Sequence, residues 1–163
     1  MSASSTIIYI LYNANGSILG KVKYGYEKIC APKDGPSPCA ACDLTHGGLR
    51  LSESEQWKQT EKQIPAKVAK LHLDELDPEV SIRDSPLLTT STDSHQLRDY
   101  IKTHGLSTPM VLARSNGPLR ALLLSEELEK LKKDHEGFLS TLFSRAGEKG
   151  IPLDTPPQYM RHA

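Results

Sequence analysis

The sequence has no surplus of charge. Lys and Arg number 20, Asp and Glu number 20, and the formal net charge at pH 7 is zero. Duplex nucleic-acid binders use a basic excess to neutralise phosphates, and peripheral membrane faces use a polybasic stripe. The balance argues against both, so neither nucleic acid nor membrane is an expected partner. No apolar run approaches the roughly 20 residues of a membrane helix. Met1-Ser2-Ala3-Ser4-Ser5 has no positive charge and no long apolar region behind it, so no secretory signal is read there. Repeats and low-complexity tracts are absent. So are a glycine-rich, lysine-bearing phosphate loop, a G-x-S-x-G turn and an H-E-x-x-H helix. Cysteine is scarce and odd in number: Cys30, Cys39 and Cys42. An odd count without a signal points to a reducing compartment, and the expected location is cytoplasmic.

What is present is 163 residues, 37% hydrophobic and 25% charged, enough for one domain with its own core. Thr6 to Tyr12 is β-branched and aromatic and reads as a buried strand. Asn13-Ala14-Asn15-Gly16 breaks it. Ser17 then caps a helix to about Cys30, with Ile18, Leu19, Val22, Tyr26 and Ile29 on its apolar face. A loop over 31–36 leads to a short helix with Ser37 as N-cap, Pro38 as first helical residue and Gly47 as stop. A second helix starts after Ser52, completes a capping box with Glu55, carries Trp57 and ends before Pro65.

Lys67 to Leu73 alternates as a strand does. Residues 74–94 are irregular, with Leu87-Leu88 as a brief buried turn or strand. A helix follows over His95 to His104, with Leu97, Tyr100 and Ile101 on one face and Gly105 as its stop. Met110 to Ala113 and Leu119 to Leu124 form a hairpin about Ser115-Asn116-Gly117. Ser125 caps the last helix, which carries Leu128 and Leu131 and breaks near Gly137 before Leu139, Leu142 and Phe143. Its charged face contains the i,i+4 pairs Glu126–Lys130 and Glu129–Lys133.

Strand–helix–strand segments imply parallel pairing, and the closing hairpin adds antiparallel strands. This order, with Thr108-Pro109 directly before the hairpin, resembles the thioredoxin-like superfamily, which holds a cis-proline at that place. The resemblance implies an α/β fold: a mixed sheet of about four strands, flanking helices and a helical insertion at about 31–65. The domain would span 1–146 and a C-terminal tail 147–163. The resemblance departs in one respect. That family carries Cys-x-x-Cys directly after the first strand, facing the cis-proline. Here a helix over 17–30, about 20 Å long, intervenes, and the pair would leave it at the far end of the sheet from Pro109 unless the loop at 31–36 brings it partly back.

Cys39, Cys42 and His46 stand at i, i+3 and i+7 of the short helix and share a face. A thiol in the first turn meets free N–H groups and the helix dipole, which favour its thiolate. Asp43 partly opposes this. One reading is thiol–disulfide chemistry, with Cys39 attacking, Cys42 resolving and His46 as proton acceptor or electrostatic partner. Pro109 would shape the groove for a protein or small-thiol substrate, and no cofactor is needed. A second reading is structural zinc held by Cys30, Cys39, Cys42 and His46. A third makes the cysteines inert, Cys30 a core residue, and the chain a binding module using the Asn13–Ser17 loop or the Pro109 hairpin. Trp57 and Tyr26 read as packing residues. His72, His95, His104 and His135 have no partner at diagnostic spacing.

Overall fold

A computed structural model describes residues 6–13, 29–30, 35–48, 50, 52–76, 91–154 and 156. The sheet is four-stranded, in the order β2-β1-β3-β4, with β1 at Ile7–Leu11, β2 at Lys67–Leu71, β3 at Met110–Arg114 and β4 at Arg120–Leu123. β1 pairs with β2 in parallel and with β3 antiparallel. The parallel pairing expected of strand–helix–strand segments therefore holds for β1 and β2, while β3 runs against both. Between β2 and β3 the chain is long enough to return in either direction, and β3 enters beside β1 rather than beside β2.

The strand period of two sorts side chains between two apolar layers. Ile8, Ile10, Tyr12, Val111 and Ala113 join one core cluster, while Tyr9, Leu11, Met110 and Leu112 join the other. The first layer is covered by four helices: α1 (Ala40–His46), α2 (Glu55–Glu61), α4 (Ser125–Leu131) and α5 (His135–Glu148). The second is covered by a 3-10 turn at Asp74–Leu76 and by α3 (Ser91–Thr103), which inserts Leu97. Arg114, at the end of β3, ties α3 to the sheet. It donates to Asp93 and, at 3.0 Å, to the Tyr9 hydroxyl. The result is a helix–sheet–helix sandwich of mixed α/β class. Among the described residues no helix is long and apolar enough to cross a membrane.

Several local expectations shift. The N-cap of α1 is Cys39, and that of α2 is Ser54, whose hydroxyl accepts from Trp57 N at 3.1 Å. α3 begins at Ser91, four residues before His95, because Asp93 and Ser94 are buried in its first turn. Leu124 rather than Ser125 occupies the N-cap of α4, with Glu127 reaching back to its N–H at 3.0 Å. The break before α5 falls ahead of Gly137, because Asp134 caps the new helix by accepting from Gly137 N at 2.8 Å. Glu129 pairs with Lys132, and the expected i,i+4 pairs are not formed among the described residues. Ile29 is 75% exposed and Cys30 is also exposed, so neither is a core residue. The rest of the helix expected from Ser17, with Tyr26, and the Leu87-Leu88 turn lie outside the described residues.

Two expectations hold in detail. Gly47 closes α1 at φ 68°, in the left-handed region that glycine enters without a Cβ clash. Asn116 turns the hairpin at φ 41°. Packing continues past α5: Ile151 is buried, and Thr6 Oγ1 donates to the Pro152 carbonyl at 2.9 Å.

Candidate functional site

The site is built at the C-terminal end of β1. Tyr12 follows the strand with its ring buried. Its hydroxyl donates to Thr45 Oγ1 at 3.1 Å, which ties β1 to the last turn of α1. Burial pushes the Tyr12 phenol well above its ordinary value, the bond to Thr45 opposing it, so the group remains a proton donor. Asn13 comes next, and its amide serves two segments at once. Nδ2 donates to the Pro38 carbonyl at 3.1 Å, and Oδ1 accepts from the Thr108 hydroxyl at 3.0 Å. Pro38 precedes Cys39 and Thr108 precedes Pro109. One side chain thus joins the segment entering the Cys-x-x-Cys to the segment entering the hairpin.

Cys39 is extended, with φ −152° and ψ 93°, and its Sγ accepts from Cys42 N at 3.2 Å. A cysteine sulfur here does the work usually given to a serine or aspartate oxygen. The sulfur atoms of Cys39 and Cys42 are at disulfide distance, with Cα atoms 5.3 Å apart. Cys39 is 0% exposed and Cys42 8%. The backbone leading to them is fixed from α4, since Ser37 N donates to Glu129 Oε1 at 3.1 Å.

Pro109 is buried and its bond to Thr108 is cis, as expected at that place. Ser125 Oγ lies 2.9 Å from the Ser107 carbonyl and 2.8 Å from that of Pro109, and its one proton is shared between them. This is why Ser125 does not cap α4: its hydroxyl is committed to the proline loop. A cleft of about 300 Å³ lies between the two segments, with Asn13, Pro38, Ala40, Thr108, Pro109 and Glu129 among its walls. The residues on either side of Cys39 therefore face the same space as Pro109. The expectation that the pair would stand at the far end of the sheet is overturned.

His46 is the last residue of α1, and Cys39 caps the first turn. The Thr45 hydroxyl donates to the Ala41 carbonyl at 2.9 Å, and His46 Nδ1 lies 2.7 Å from the same Thr45 hydroxyl oxygen. The His46 ring packs edge-on to Tyr12, with centroids 5.9 Å apart. The four residues of the zinc reading are not brought together as a site. Among the described residues no group of three or more His, Cys, Asp or Glu is placed to hold a metal ion. Cys30 is free, while Cys39 and Cys42 are paired with each other. Of the Asn13–Ser17 loop only Asn13 lies within the described residues.

Sequence reasoning named Asn13 as part of a loop, Thr108 as the residue before Pro109, Ser125 as a helix cap and Glu129 as a helix-face charge, but missed the bonds they make here. Each was readable as a turn or helix-surface residue, and its use here depends on partners distant in the chain. No protein-family model, curated protein or solved structure matches the chain.

Proposed function

We propose that this is a thioredoxin-like protein whose Cys39–Cys42 pair undergoes thiol–disulfide exchange. The carrying observation is the Asn13 bridge, which holds the segment before Cys39 beside the segment before Pro109. In the forward direction, Cys39 thiolate attacks one sulfur of a substrate disulfide and the other sulfur leaves as thiolate. Cys42 then attacks Cys39 Sγ, forming the intramolecular disulfide and releasing the second substrate thiol. The two protons of the dithiol end on the two released thiols, and two electrons pass to the substrate. The N–H of Cys42 is placed to stabilise the Cys39 thiolate. Pro109 forms a wall of the substrate cleft. His46 sits where a cation suits a helix C-terminus, and it is proposed as an electrostatic partner.

The burial of Cys39 favours one further reading of the same chemistry. A pair this covered suits a redox-responsive element that switches once rather than turning over. The test is oxidation of the reduced chain by bis(2-hydroxyethyl) disulfide, followed by thiol titration. Loss of two thiols per chain in wild type, with a trapped mixed disulfide in Cys42→Ser, supports exchange led by Cys39. Turnover with an added reductant distinguishes the enzyme from the switch. Thiols inert to the disulfide, with near-stoichiometric zinc released on their modification, overturn both in favour of a metal site.

A further inference from the structure

The cleft beside the pair has one sign of charge. Its charged walls are Glu126 and Glu129, and no Lys, Arg or His lines it among the described residues. Glu129 is partly neutralised by Lys132 and holds Ser37 N. Glu126 is exposed and forms no ion pair among the described residues. Glu127, next in sequence, is held by Arg145 at 2.8 Å, and both line an adjoining cleft of about 600 Å³ that shares Ser107, Ser125 and Glu126. Arg145 and Lys149 line that adjoining cleft and not the one beside the pair, while Lys132 meets the latter only through Glu129. Both neighbours of Cys39, Pro38 and Ala40, line the cleft together with the two glutamates, so a substrate that engages the buried pair from this side meets their charge.

Resting on the exchange reading above, we propose that the substrate of this site is a disulfide flanked by positive charge, such as a cystine in a basic polypeptide segment. Two physical effects act together. A field of one sign in a cleft concentrates ligands of the opposite sign. The same field raises the cost of forming a thiolate and of bringing up an anionic disulfide, and a cationic substrate relieves both.

The test uses the full chain, reduced, with three small disulfides of graded charge: cationic cystamine, neutral bis(2-hydroxyethyl) disulfide and anionic glutathione disulfide. Each second-order rate of Cys39–Cys42 oxidation is divided by that of dithiothreitol with the same probe, which removes leaving-group reactivity. The normalised rate with cystamine should exceed that with glutathione disulfide by about tenfold or more at low salt. The ratio should shrink toward one as ionic strength rises, and Glu126→Lys should lower it severalfold at low salt. Equal normalised rates, or a ratio indifferent to both salt and Glu126→Lys, overturn the charge preference while reaction with the neutral probe keeps the exchange reading. Failure of all three probes to oxidise the pair overturns the exchange reading and the preference with it.

Discussion

Asn13 accepts a hydrogen bond from Thr108 across 95 positions of sequence, and the same carboxamide donates to the carbonyl just before Cys39. Removing either partner should loosen both segments. Asn13→Ala should cost about 1 kcal/mol in urea unfolding, and Thr108→Val somewhat less. A double-mutant cycle of the two should give a coupling of about 0.5–1 kcal/mol. Additive effects would mean that the bridge is not made in solution. Asn13→Ala should also speed alkylation of Cys39 in the reduced chain, a readout that a simple loss of stability elsewhere would not move.

Cys39 is both a member of the Cys39–Cys42 pair and a helix cap, and substitution separates the two roles. Cys39→Ser keeps an oxygen acceptor for Cys42 N, whereas Cys39→Ala leaves that N–H without one. Under reducing conditions the serine variant should be more stable than the alanine variant by about 1 kcal/mol. Both should lose all disulfide formation. Equal stability of the two variants would remove the cap from the account.

His135 predicts how stability depends on pH. Its Nδ1 lies 2.9 Å from Thr60 Oγ1 and its ring packs near Trp57. Burial lowers its pKa, with the neighbouring Asp134 carboxylate working in the other direction. The folded chain therefore favours the neutral ring, and the unfolded chain binds more protons between the lowered value and the ordinary one near 6.5. This contribution is complete above about pH 6.5 and is lost as pH falls through that value toward the folded pKa. Urea midpoints measured from about pH 8 to pH 5 should fall accordingly, and His135→Gln should flatten that part of the curve.

Gly137 sits where a helix would ordinarily gain from alanine. A Cβ there would come 2.3 Å from Asp134 Oδ2 and 3.1 Å from Leu131 Cδ2, displacing the carboxylate that caps α5. Gly137→Ala should thus be neutral or destabilising by up to about 1 kcal/mol, the lost cap offsetting the helix gain. In an Asp134→Ala background the same substitution should stabilise by about 0.5–1 kcal/mol. A change of sign between backgrounds, read from thermal or urea unfolding, identifies the cap as the cause.

The strands were legible because their signal is local. Ile7–Leu11, Lys67–Leu71 and the hairpin each carry the apolar pattern that their burial requires. The short helix was legible too, with its Gly47 stop, but its start was displaced by two residues from Ser37 to Cys39. Cap preference ranks serine above cysteine, and local rules do not register that the Cys39 sulfur was nearer the right N–H. The Cys-x-x-Cys was plain in sequence, whereas its proximity to the Pro109 loop was not. That proximity depends on Asn13, Glu129 and Ser125. Their bonds to Pro38, Ser37 and Pro109 are tertiary, and nothing in their own neighbourhoods distinguishes them from ordinary turn and helix residues.

The position of β1 carries a consequence for how the chain assembles. It lies between β2 and β3, yet precedes both, and its partners are residues 67–71 and 110–114. None of its pairings is local, so loop closure must come before any ladder bond repays it, and folding should be slow for the chain's size. During synthesis the run Ile7–Leu11 emerges with no ladder partner until residue 71 has been made, and its second edge stays open to association with other chains until residue 114 has been made. The strand whose end holds the Cys39 and Pro109 segments together at maturity is therefore a segment in need of protection at birth.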